Sequence, residues 1–156
     1  MIGSFMFNFK RIFPLFIIIV GVVFISYEKN KNEPVTRKVT FSSDDLAGLY
    51  LHKGIDLGKQ SFYQEGIDWF KQAIALKPDF AESYLCMGNA YRYLENYDEA
   101  IESYKKVIEL DPERSAAYFY LGLSYKSIGD SEQLNKQYNK LKSKNEIFAL
   151  RLHELM

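Results

Sequence analysis

The sequence predicts an all-α protein: a single N-terminal membrane helix, a polar tether, then a solenoid of three stacked helix pairs closed by a last helix. Three observations carry the prediction. A tyrosine followed four positions later by a glycine recurs every 34 residues, as Tyr50/Gly54, Tyr84/Gly88 and Tyr118/Gly122. A period of roughly 20–50 residues marks a stack of small units, each burying its apolar face against the next. Ahead of the repeats, residues 12–27 (IFPLFIIIVGVVFISY) carry no charge, and residues 28–43 are polar, include Pro34 and keep no regular periodicity.

The apolar run is the expected anchor. Its 16 residues rise about 24 Å as a helix, against a hydrocarbon core of about 30 Å. Tyr27 can sit at one interface while Lys10 and Arg11, at the end of the 1–11 flank, snorkel at the other. The rival readings are a cleaved signal peptide and a buried core helix. Cleavage requires small residues at the last and third-last positions before the cut. Ser26 suits the last, but Phe24 occupies the other, so the segment reads as an uncleaved, single-pass anchor. Lys29, Lys31, Arg37 and Lys38 follow the run, so charge gives no clean orientation. The short head, as in a bacterial-type signal anchor, favours repeats on the exported side. The tether, 28–43, would reach roughly 20–25 Å as a flexible chain.

Helix pairs are expected at 44–58 with 62–76, 79–93 with 97–110, and 114–128 with 131–143. Ser42 and Ser43 followed by Asp44 and Asp45 mark a helix start, where the helix dipole favours carboxylates. The middle unit reads Tyr84-x-x-Met87-Gly88-x-x-Tyr91, then Ala100-x-x-x-Tyr104, then Pro112. This resembles the tetratricopeptide repeat, a 34-residue helix–turn–helix unit. The resemblance covers roughly 47–148, as repeats 47–80, 81–114 and 115–148 within a domain of 44–156. It implies that each glycine removes a side chain where paired helices cross, opposite Gly66 or Ala100, so that close packing offsets a helical glycine's cost of about 1 kcal/mol. Pro78 and Pro112 fall just past the second helices, where proline stops a helix.

The departures from the pattern carry expectations of their own. Lys53 replaces an apolar residue, which suits a face with no preceding repeat. Leu134 replaces a small residue, so the third pair should sit further apart. Glu146 replaces the proline, so the chain need not break there. Leu152 and Leu155 fall where a fourth unit would place its large and Leu-like residues. Residues 149–156 therefore read as a closing half-repeat, the cap such arrays need.

In the resembled family, first-helix positions five, nine and thirteen line a concave groove. Position five holds Leu51, Leu85 and Phe119; position nine holds Ile55, Asn89 and Leu123; Arg92, Tyr93 and Lys126 lie further along. An apolar ladder on a surface the core does not need reads as a partner site. The alternative is that the last helix or the tether folds back over it. The family's carboxylate clamp for heat-shock chaperones requires Lys and Asn at positions five and nine of its first unit, Asn at six of its second, and Lys and Arg at two and six of its third. Leu51, Ile55, Cys86, Ala116 and Tyr120 stand there, so that clamp is absent.

Composition excludes other functions. The net charge is zero, and residues 44–113 carry 14 acids and 7 bases, the opposite of the basic stripe that phosphate neutralisation requires. Nucleic acid is therefore not an expected partner. Cys86 is the single cysteine, and His52 and His153 are the only histidines; none has the spaced partners that catalysis or metal binding needs. Glu95, Asp98, Glu99 and Glu102 ring a turn and a helix start, where a solvated role suffices. The chain reads as a non-enzyme without metal or cofactor. Its expected function is a membrane-tethered protein–protein interaction module that holds a protein or peptide segment in the groove. The alternative is a permanent structural or assembly subunit of a membrane or envelope complex.

Overall fold

The computed structural model describes residues 41–156, which form seven helices and no strand. The pairs are α1 (Ser43–Lys59) with α2 (Tyr63–Leu76), α3 (Ala81–Tyr93) with α4 (Tyr97–Leu110), and α5 (Ser115–Ser127) with α6 (Ser131–Lys144); α7 (Glu146–Glu154) closes the array. The helices of the pairs start and stop within two residues of the bounds read from the sequence. The expected anchor at 12–27, its flank 1–11 and the tether as far as residue 40 lie outside the described residues. Among the described residues, no helix is long and apolar enough to cross a membrane.

One turn geometry repeats with the sequence. Ser61, Glu95 and Gly129 are one period apart, with φ of 67°, 62° and 79°. Around them Phe62, Asn96 and Asp130 donate their N–H groups to the carbonyls of Leu57, Tyr91 and Tyr125 at 3.0, 2.9 and 2.9 Å. A left-handed residue with these back-bonds ends each odd helix and satisfies its orphan carbonyls. The third copy uses glycine, which adopts this backbone without a Cβ penalty.

A second geometry separates the pairs. The N–H groups of Lys77, Asp111 and Asn145 donate to Ala73, Val107 and Leu141 at 2.9, 2.7 and 2.7 Å. Pro78 and Pro112 follow the first two. The expectation that Glu146 lets the chain run on is corrected: α6 still ends at Asn145. There the Asn145 Oδ1 accepts from the Phe148 N–H at 3.1 Å and caps α7. Asparagine is among the best residues at a helix start, so the break survives without proline.

Packing follows the glycines. A Cβ on Gly54 would run into the Phe70 ring, and one on Gly88 would stand 2.7 Å from the Tyr104 ring. The expectation that the crossing is opposite Gly66 holds for the first pair, where a Gly66 Cβ would lie 3.1 Å from the Gly54 carbonyl oxygen. In the second pair Tyr104, the counterpart of Phe70, fills the Gly88 notch. The third differs. A Cβ on Gly122 would meet Leu152 Cδ2 of α7 at 2.8 Å. Tyr138, the α6 counterpart of Phe70 and Tyr104, is only half-buried and lies 5.5 Å from the His153 ring.

Leu51, Ile67, Phe70 and Ala90 form a front core, and a larger core runs from α3 to α7 around Tyr104, Val107, Leu141 and Leu152, which expose no surface. Besides packing within pairs, α1 touches α3, α3 touches α5 and α5 touches α7, whereas α2, α4 and α6 do not approach one another among the described residues. Close odd helices and splayed even ones make a curved stack. The odd helices line its inner side.

Candidate partner-binding face

The structure corrects the open apolar ladder. Leu51, Leu85 and Phe119 are 6 %, 7 % and 5 % exposed and belong to the two cores. Position five of each first helix faces the next odd helix, and stacking seals it. At the end of the array α7 does so: the Phe148 ring lies 5.3 Å from the Phe119 ring. The closing helix thus covers part of the face, as the alternative reading allowed.

What remains accessible lies beside that seam. Ile55, Asn89, Arg92 and Leu123 are half-buried, Lys126 is exposed, and Tyr93 is 58 % exposed. Asn89 is fixed from beneath, because its Oδ1 accepts the Tyr104 hydroxyl proton at 2.8 Å. Burial pushes the Tyr104 hydroxyl far above its ordinary pKa while Arg92 pulls the other way, so Tyr104 stays a neutral donor. Lys126 donates to the Leu155 carbonyl oxygen and ties α5 to the end of α7.

Aromatic rings and arginines form a continuous row across this face. Tyr63 stacks on Tyr93 at 4.8 Å with rings 7° from parallel. The Arg92 guanidinium stands 5.0 Å from the Tyr93 ring centroid and 5.7 Å from that of Tyr120. Tyr120 meets Phe119 edge-on at 5.4 Å, and the Arg151 guanidinium lies 5.8 Å from the Phe119 ring. Cation–ring contacts of this kind are each worth about 0.5–2 kcal/mol, more as water is excluded. Sequence reasoning picked out Arg92 and Tyr93 but missed Tyr63, Tyr120 and Arg151. Tyr120 drew notice only as a departure from the clamp. Arg151 sits on a closing helix whose packing partner no periodicity reveals.

Other conspicuous residues have structural roles. Burial, with the Glu82 charge adding to it, pushes the Cys86 thiol up to about 12, which keeps it protonated and poorly nucleophilic. Glu82 pairs instead with Arg114 at 2.6 Å and ties α3 to the start of α5. His52 and His153 are exposed, and the described residues include no cluster of His, Cys, Asp and Glu able to hold a metal ion.

Family models agree with the repeats: one described as "TPR repeat" matches residues 88–129 and one described as "Tetratricopeptide repeat" matches 69–102. Two crystal structures of MamA are similar at 32 % identity, with TM-scores of 0.62 and 0.63 over 64 % and 66 % of this chain. The chain spans 55 % and 60 % of those two proteins, less than two thirds of their length. The first tetratricopeptide domain of Spaghetti (RPAP3), bound to an HSP90 peptide, is similar at 20 % identity with a TM-score of 0.67, over 71 % of this chain and 90 % of that one. The Arabidopsis OM64 domain is similar at 17 % identity and a TM-score of 0.64, over 73 % and 99 %. No curated protein matches the chain. These matches support the tetratricopeptide repeat family, and residues 43–156 have that family's all-α solenoid fold.

Proposed function

We propose that this protein is a membrane-tethered protein-interaction module that holds a partner segment against the inner side of its array. The observation that carries this is the row beside the sealed seam, where Tyr93 stands exposed and Arg92 and Asn89 are held in place from below. Fixed aromatic and polar groups of this kind favour binding, because little side-chain freedom is lost when a partner arrives. Two neighbours of similar fold hold an HSP90 peptide; that likeness is one of fold, and the clamp positions here carry Leu51, Ile55, Cys86, Ala116 and Tyr120. The partner is therefore a different segment. Tethering rests on the uncharged run 12–27, and we place the repeats on the exported side. A photo-crosslinking residue at position 93 of the full chain in native membranes should yield one discrete protein adduct. Lipid adducts alone would refute the reading. Resistance to carbonate extraction and an intact N-terminus test the anchor, and a mature N-terminus near Tyr27 would overturn it.

One feature favours the permanent-subunit alternative. Closing helices are expected to present a polar outer face, yet Ile147 and Leu150 on α7 are 78 % and 58 % exposed. A full chain that purifies only as an obligate complex with another protein would support that reading; a monodisperse monomer would support the adaptor.

A further inference from the structure

We infer that the occupant of the inner face is an acidic peptide segment whose carboxylates are met by Arg92, with Lys126 and Arg151 adding charge on the same side of the array. This rests on the groove reading and narrows it to a class of partner. Over residues 44–156 acids outnumber bases 18 to 14, yet positions five, nine, twelve and thirteen of α1, α3 and α5 hold no acid. They hold Lys59, Arg92 and Lys126 instead.

The second observation is how those cations are held. Lys59 pairs with Asp56 at 3.4 Å, but none of the ion pairs among the described residues includes Arg92, Lys126 or Arg151. Arg92 rests on the Tyr93 and Tyr120 rings, Arg151 on Phe119, and Lys126 on a backbone carbonyl. These contacts orient positive charge without neutralising it. A guanidinium held by rings and not by an acid remains able to grip a planar carboxylate with two parallel bonds. Three cations are too few for the phosphate track of a nucleic acid, and they suit a short acidic stretch.

The test is fluorescence anisotropy on the full chain in nanodiscs of zwitterionic lipid. The probes are a dodecapeptide of Asp, Glu and Gly with one Phe, its Asn/Gln counterpart, and a thymidine 12-mer. The acidic peptide should bind at least about tenfold tighter than the neutral one, and added salt should weaken it. Arg92→Gln should remove most of that preference. Lys126→Gln and Arg151→Gln, both on exposed side chains, should each reduce it a few-fold while keeping a cooperative thermal transition, which keeps the result readable if Arg92→Gln loosens the fold. Equal binding of the two peptides overturns the charge inference and leaves the groove reading standing. Tighter binding of the oligonucleotide, or no binding of either peptide, also overturns it. Should position 93 crosslink no protein as well, the groove reading falls with it.

Discussion

The front and back of the array solve the same packing problem with different elements. In the first two units an aromatic from the paired helix, Phe70 or Tyr104, fills the notch left by Gly54 or Gly88. In the third unit Leu152 fills the Gly122 notch from α7, and Tyr138 packs half-buried beside the His153 ring. Leu134 in place of a small residue accompanies this change. The difference teaches that the last pair of such a stack is not self-sufficient. Its core is completed by the next odd helix, which has no paired helix among the described residues.

Substitutions can break this contrast. Gly88→Leu should have the largest effect, because Tyr104 is fully buried and anchored by its bond to Asn89. Overpacking there should cost about 3 kcal/mol or more, seen as a broadened or lost cooperative thermal transition. Leu152→Ala should cost about 2–4 kcal/mol and act unevenly. Hydrogen exchange should speed up in α5–α7 while α1 and α2 keep their protection; uniform loss would mean that the back of the array is not the separable part.

A finer comparison sets Gly88→Ala against Gly122→Ala. Both relieve the helical glycine by about 1 kcal/mol. At Gly88 the new methyl meets a buried ring, with a net loss of about 1–2 kcal/mol expected. At Gly122 it meets the tip of a leucine side chain that can turn aside, and chemical denaturation should find a change within about 0.5 kcal/mol. Equal costs would erase the distinction between the two notches. The smallest effect is expected for Asp44→Asn, which removes the exposed 3.0 Å pair with Lys77 that links α1 to the end of α2. It should lower stability by less than about 1 kcal/mol and vanish at high salt.

The helix pairs were legible because tyrosine, glycine and proline recur in register, and each mark has a local physical cause. The same register foretold the burial of Leu152, though Leu155 at the helix end stays 42 % exposed. The left-handed turn went unread, since glycine marks it only at Gly129 and Ser61 and Glu95 adopt it without the residue that signals it. The candidate site was less legible. The periodicity of one helix tells which side chains share a face, but not which neighbouring helix lies over that face. Leu51, Leu85 and Phe119 read as a ladder open to solvent for that reason. The arginine–ring row escaped notice because its members come from α2, α3, α5 and α7, and no spacing within the sequence links them.

The central claim is that the inner side divides into a sealed seam that holds the fold and an adjoining row that binds. Leu85→Glu and Tyr93→Glu test it when compared by thermal melt and by photo-crosslinking from position 55 in the full chain. Leu85→Glu should unfold the array by placing an unpaired charge in the core. Tyr93→Glu should leave the melting temperature within a few degrees and abolish the partner adduct. Contradiction would come from a Leu85→Glu variant that melts normally, or from a folded Tyr93→Glu variant that still captures the partner in full.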